Sequence, residues 1–142
     1  MSGCDNELKA YIEQNLSDNF EKIATVKNTD KSKIFLFKHK NSDKMLVERI
    51  SANRNDDVFK SLKNKNSENL VNIVEVCSDD EGVIVLEDYV DGRNLQEIID
   101  TEKISKKVAC KWTYQICNAL IELHEMGIVH RDIKPANIII NR

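Results

Sequence analysis

Apolar and polar positions along this chain repeat with two different periods. Leu8, Tyr11, Ile12 and Leu16 recur at helical spacing, which predicts a short helix over about residues 7–16, broken by Ser17-Asp18-Asn19. Residues 20–26, 33–38 and 45–50 then read as three strands, separated by polar turns at 27–32 and 41–43. Strands joined this tightly make an antiparallel meander. Residues 53–63 look like a capped helix, with Asn55 as the cap and Asp56 and Asp57 suited to the positive end of the dipole. Two more strands follow at 70–76 and 83–87, joined by a hairpin turn at 78–82. Asn94 caps a short helix, and Ser105 caps the longest one, which runs to about Met126. Val108, Trp112, Ile116, Ala119, Leu120 and Leu123 share one broad face of that helix, and Gly127 permits the left-handed turn that ends it.

Composition adds mainly exclusions. A length of 142 residues suffices for one domain with a real core, and the 41% apolar and 32% charged residues are an ordinary balance. A net charge of −3 gives no argument for nucleic acid or an anionic membrane. No apolar run approaches a membrane span, and the N-terminus lacks the basic-then-apolar order of a secretory signal. Ser2 fails the glycine requirement for myristoylation. Cys4, Cys77, Cys110 and Cys117 form no CxxC pair and have no histidine at metal-ligand spacing, so they read as buried, reduced thiols of a cytoplasmic protein. His124 reads as a residue of packing or local bonding.

The chemistry concentrates near the end of the chain. Ile128-Val129 leads into His130-Arg131-Asp132-Ile133-Lys134-Pro135-Ala136-Asn137, and Ile138-Ile139-Ile140 leads out as a β-branched strand. Pro135 fixes its own φ and donates no backbone hydrogen bond, which predicts a stiff loop rather than a helix. The loop carries a carboxylate, an amine and an amide at fixed spacing: Asp132, Lys134 and Asn137. Phosphoryl transfer needs such groups, because it depends mainly on positioning and charge stabilisation. A carboxylate can orient a hydroxyl and accept its proton. An ammonium can approach phosphoryl oxygens, and an amide oxygen can ligate a hard cation such as Mg²⁺.

These residues match H-R-D-x-x-x-x-N, and the chain resembles the protein kinases at this point. Lys134, two residues after Asp132, resembles the Ser/Thr branch, including its bacterial members. The resemblance implies an α+β fold: a kinase N-lobe of five antiparallel strands plus helix αC, then the first helices and catalytic loop of a helical C-lobe. It implies an N-terminal helical extension over 1–19, an N-lobe over 20–87, and the hinge and start of the C-lobe over 88–142. It further implies ATP and Mg²⁺ as cofactors and a protein substrate with a Ser or Thr hydroxyl. Asp132 and Lys134 become the catalytic residues, Asn137 a metal ligand and His130 a structural residue of the loop. Ile34, Leu46, Glu87, Asp88 and Val90 fall on the family's nucleotide pocket. Glu87 to Gly92 resembles the hinge, with Leu86 or Glu87 as gatekeeper.

Other positions depart from the family. Its three phosphate-loop glycines, which let backbone approach the nucleotide, fall on Lys27, Thr29 and Ser32, with Ile34 at the following valine. The Val-Ala-Ile-Lys signature falls on Met45-Leu46-Val47-Glu48, so Glu48 replaces the phosphate-binding lysine and should repel phosphate. Lys31, Lys33 or Arg49 could supply a cation instead. Arg49 would need a bulge to face the same way as position 48. The αC acid is expected at Val58, or at Asp57 with one gap.

The resemblance covers residues 20–142, which correspond to the N-terminal half of a kinase domain. The Asp-Phe-Gly segment, which supplies a further metal carboxylate, is absent. The 142-residue chain alone is therefore expected to be inactive. The apolar face of the longest helix and the strand at 138–140 are expected to associate with a missing C-lobe or with another copy. A pseudokinase or kinase-derived interaction module, without turnover, is the alternative reading.

Overall fold

The computed structural model describes residues 3–52 and 56–142, so the expected cap Asn55 and the residue Ser2 lie outside the described residues, as does the side chain of Cys4. The chain divides into two units: residues 1–66 with 72–89, and residues 67–71 with 90–142.

In the first unit, helix α1 (Gly3–Asn19) runs directly into β1 (Phe20–Asn28). Strands β2 (Ser32–His39) and β3 (Met45–Ser51), helix α2 (Asp56–Leu62), and strands β4 (Ile73–Asp79) and β5 (Gly82–Asp88) follow. The five strands form one antiparallel sheet in the order β1-β2-β3-β5-β4. This is the expected kinase-type N-lobe sheet with its helix.

Each face of the sheet is covered by a different helix. On one face Ile12 and Leu16 of α1 pack with Phe20, Phe37, Leu46, Cys77, Ile84 and Leu86. On the other, Phe59 and Leu62 of α2 pack against Ile73, Val76, Val83 and Val85. The alternation of β5, with Val83 and Val85 on one side and Ile84 and Leu86 on the other, is that of a strand buried on both faces.

Helix α1 is therefore more than an extension at the domain's edge. Its buried stripe is Leu8, Ile12 and Leu16, at i, i+4 and i+8, while Tyr11 is 69% exposed. Ser17-Asp18-Asn19 does not break it, because Lys40 Nζ donates to the carbonyls of Ser17 and Asp18 at 2.9 and 3.0 Å. Those are terminal carbonyls that a helix leaves without partners of its own, and a lysine suits the negative end of its dipole. Lys9 pairs with Asp79 at the far end of β4.

In the second unit, β6 (Gly92–Asn94) leads into α3 (Leu95–Thr101), and α4 (Lys106–Glu125) follows. Asn94 Oδ1 accepts from the Gln96 N–H, and the Ser105 side chain accepts from the Val108 N–H, as the sequence predicts for the two caps. Gly127, at φ +73°, closes α4, with its N–H donating to the His124 carbonyl and the Ile128 N–H donating to the Leu123 carbonyl. A single 3-10 turn at Pro135–Asn137 interrupts the expected loop before β7 (Ile139–Asn141). Strand β7 pairs with β6, which the sequence reads only as part of a turn. Gly92 sits so close to the Ile140 carbonyl that a Cβ there would collide with it. Within this unit Val108, Tyr114, Ile121 and Ile139 remain exposed.

Candidate active site

The loop from Ile128 to Ile138 is anchored at its far end. The Leu95 N–H donates to the Ile138 carbonyl at 2.8 Å, and Asn94 Nδ2 donates to the Ala136 carbonyl at 2.7 Å. Asn94 thus caps α3 with its oxygen and holds the loop with its nitrogen. Pro135 opens the 3-10 turn, where its missing N–H costs nothing. Arg131 adopts a left-handed conformation, φ +69°, and the Asp132 N–H donates to His130 Nδ1 at 3.1 Å. Those two residues reverse the chain so that Asp132 faces Asn137.

Asn137 Nδ2 donates to the Asp132 backbone carbonyl at 2.9 Å and to its Oδ2 at 3.0 Å. Lys134 Nζ stands 3.6 Å from the same Oδ2. The three groups singled out in the sequence are therefore one cluster, and both Asp132 and Lys134 are largely exposed. Because Asn137 uses its nitrogen to hold Asp132, its Oδ1 is the atom left to face a cation. An amide oxygen beside a carboxylate is a hard-oxygen donor pair of the kind Mg²⁺ takes, with the remaining positions supplied by phosphate or water. The donor chemistry fits such an ion.

The sheet carries the other expected residues, and they do not share one face. Register is unbroken from β2 through β3 to β5. Ile34 lies opposite Arg49, Val47 opposite Glu87, and Arg49 opposite Val85. Ile34, Val47, Arg49 and Glu87 therefore belong to the face covered by α2. Leu46, Glu48 and Leu86 belong to the face covered by α1, where Leu46 is buried.

Two expectations for β3 thus change. Glu48 does not face α2. It lines a cavity of about 270 Å³ with Glu13, Leu16, Lys22 and Ile50, and burial pushes its carboxyl pKa up, partly offset by Lys22. Arg49 reaches the α2 face with no bulge in β3, because that face is set by the pairing with Val85. Its Nε donates to Glu87 Oε1 at 2.8 Å, a partner the sequence did not suggest. Burial pushes the Glu87 carboxyl up, and the Arg49 guanidinium draws it back. Lys33 lies opposite Ile50, away from Arg49's side, and Lys31 is exposed.

Asp88 is held by Asn72: its N–H donates to the Asn72 carbonyl at 3.0 Å, and its Oδ2 accepts from Asn72 Nδ2 at 2.8 Å. Val90 opens the second unit. At the hairpin between β1 and β2, pairing continues as far as Asn28 opposite Lys33. The Thr29 N–H and hydroxyl both donate to the Ser32 carbonyl, so the turn is closed on itself.

A sequence model of the protein kinase domain matches residues 18–142. The chain belongs to the protein kinase domain family. It is 29% identical over 125 residues to the Rho-associated protein kinase let-502 of Caenorhabditis briggsae, covering 87% of this chain and 10% of that protein. It is 30% identical over 108 residues to a probable casein kinase II subunit alpha homolog of Encephalitozoon cuniculi, covering 72% of this chain and 33% of that one. The crystal structure of Rad53 1-466 in complex with AMP-PNP superposes with a TM-score of 0.73 at 23% identity, over 96% of this chain and 39% of that one. The kinase fold is thereby established for this chain, which spans between a tenth and a third of the length of these two curated relatives. Helix α1 lies almost wholly before the matched kinase residues, yet it is part of the sheet's core. Among the described residues no helix is long and apolar enough to cross a membrane.

Proposed function

We propose that this chain is the N-terminal part of a Ser/Thr protein kinase domain, which transfers the γ-phosphoryl group of ATP to a hydroxyl of a protein substrate. The observation that carries this reading is the clamp of Asn137 on Asp132, with Lys134 alongside. Asp132 orients the substrate hydroxyl and accepts its proton. Lys134 stabilises the charge on the transferring group, and Asn137 Oδ1 serves as a ligand for Mg²⁺. Rad53 was solved with the ATP analogue AMP-PNP, which supports nucleotide as the co-substrate here. Ile34, Glu87 and Asp88 are the first unit's contribution to its pocket. Val47 lies on the same face as Ile34, whereas Leu46 lies on the face covered by α1.

A second reading, a kinase-derived module without turnover, is favoured by one feature. The β1–β2 hairpin carries side chains at all three glycine positions and is closed by the Thr29–Ser32 bonds. A protein that joins this chain to a downstream half of the kinase domain separates the two. Transfer of labelled phosphate from ATP to a protein substrate, lost in Asp132→Asn, supports the enzyme. An Asp132→Asn protein that fulfils its cellular role unchanged supports the module.

A further inference from the structure

Strand β3 sets Glu48 on the face of the sheet covered by α1, with Phe35 of β2 opposite it on one side and Leu86 of β5 on the other. The residue is only 7% exposed. Among the described residues no N–H or O–H donates to its carboxyl, and no ammonium or guanidinium stands within ion-pair distance of it. Glu87, on the opposite face, is buried to the same degree but is held by Arg49 Nε at 2.8 Å. A buried carboxyl that nothing bonds stabilises a sheet less than an apolar side chain at the same place. Glu48 therefore calls for a use other than packing.

The cavity of about 270 Å³ that Glu48 lines between α1 and the sheet has a distinct make-up. Leu16, Phe37 and Ile84 are buried apolar walls, and Glu13 and Lys22 are exposed at the rim. Lys22 Nζ is taken by an aromatic ring: it lies 3.8 Å from the Phe35 centroid, and 5.8 Å from that of Phe37. Burial pushes the Glu48 carboxyl up, and Lys22 offsets this only in part. Two acids face one amine, so a second cation completes the charge balance. The walls call for carbon on that cation, and the Phe37 ring attracts positive charge to its face. Clefts for drug-sized ligands hold roughly 300–1,000 Å³, so the occupant here is smaller. A bare metal ion suits the cavity poorly, since among the described residues no three His, Cys, Asp or Glu side chains converge.

We infer that the cavity between α1 and the sheet is a binding site for a small organic amine, held as its ammonium by the Glu48 carboxylate with its carbon body against Leu16, Phe37 and Ile84. Glu13 adds negative charge at the entrance. The site lies on the face of the sheet away from Ile34 and Glu87, so it stands independently of the kinase reading above.

Titration of the whole 142-residue chain with benzylamine, an ammonium at pH 7, tests the inference by NMR. The methyl signals of Leu16, Ile50 and Ile84 report binding in the cavity. They are expected to shift to saturation with benzylamine, and far less with benzyl alcohol, which has the same shape and no charge. Glu48→Gln removes the charge and keeps the volume, so the fold is retained, as circular dichroism checks, while affinity for benzylamine falls by about tenfold or more. Glu13→Gln, at the exposed rim, is expected to lose less. Wild type whose cavity signals do not respond to benzylamine would overturn the inference, as would Glu48→Gln that binds it at wild-type strength. Benzyl alcohol that binds wild type as tightly as benzylamine would show an apolar hollow with no role for the acid. Displacement of benzylamine by an equal concentration of Ca²⁺ would give the carboxylates to a metal ion and overturn the amine assignment.

Discussion

Asn137 holds both the backbone carbonyl and the carboxylate of Asp132, at 2.9 and 3.0 Å, through a single side-chain nitrogen. The same amide closes the loop and fixes the rotamer of the acid. Asn137→Ala should therefore release Asp132 with little effect on folding, since an exposed hydrogen bond contributes only about 1 kcal/mol. In a protein carrying a whole kinase domain, phosphate transfer should fall while the chain's unfolding midpoint in urea moves little. Equal losses of activity and of stability would contradict the role of Asn137 as a clamp.

Helix α1 is expected to be a structural necessity for the sheet. Leu16 is 4% exposed within the cluster that includes Phe20, Phe37 and Leu46. Leu16→Ala should cost about 2–5 kcal/mol, as large-to-small substitutions in a packed core do. Tyr11→Ala, on the exposed side of the same helix, should fall within about 0.5 kcal/mol of wild type. Urea unfolding of both variants checks the contrast.

Much of this architecture was legible in the sequence, and the exceptions have physical causes. The five strands announced themselves through polar turns, and Asn94, Ser105 and Gly127 marked helix ends through local chemistry that tertiary contacts did not override. The cluster of Asp132, Lys134 and Asn137 was equally readable, because its members lie within six residues of one loop. The facing of β3 was not. Both sides of the central sheet are covered, so Met45 to Ile50 lack the polar alternation that reveals a half-buried strand, and a buried Glu48 reverses the usual expectation. Only the register with Val85 and Glu87 shows that Arg49 faces α2. Strand β6 is not legible in the sequence, because three residues beginning with glycine read as a turn until β7 pairs with them. Spacing alone puts Tyr11 on the buried side of α1, because i+3 and i+4 are equally helical, and packing selects Ile12.

Glu48 should make stability depend on pH in an unusual direction. Burial raises its folded-state pKa above the ordinary carboxylate value, partly offset by Lys22. The folded state then holds a proton that the unfolded state releases, so this group's contribution falls as pH rises from the unfolded value through the raised one. Glu48→Gln is expected to melt higher than wild type at pH 7, with the gap closing towards pH 4. A gap that widens on acidification would contradict this assignment.

The described cysteines should separate cleanly in reactivity. Cys77 is buried, and desolvation, followed by the nearby Asp79 charge, pushes its thiol up to about 11. Cys110 and Cys117, which the sequence suggests are buried, are exposed on α4. Titration with a thiol-reactive dye should label Cys110 and Cys117 quickly and Cys77 only after denaturant is added. Substituting both exposed residues by serine, in a background with Cys4 also replaced, leaves Cys77 as the reporter. Fast labelling of that variant in native buffer would show that α1 does not seal this face.

Asp132, clamped by Asn137, is proposed as the base of a phosphoryl-transfer site. Its most direct test is transfer of radiolabelled γ-phosphate from ATP to a Ser/Thr-containing protein, by this chain joined to a downstream kinase half, with Asp132→Asn in parallel. Phosphoserine or phosphothreonine is expected in the wild-type reaction, with a drop of about 10²–10⁴-fold in the variant, the usual contribution of a general base. Transfer that persists undiminished in Asp132→Asn, or a wild-type protein that binds Mg²⁺–ATP and transfers nothing, would contradict it.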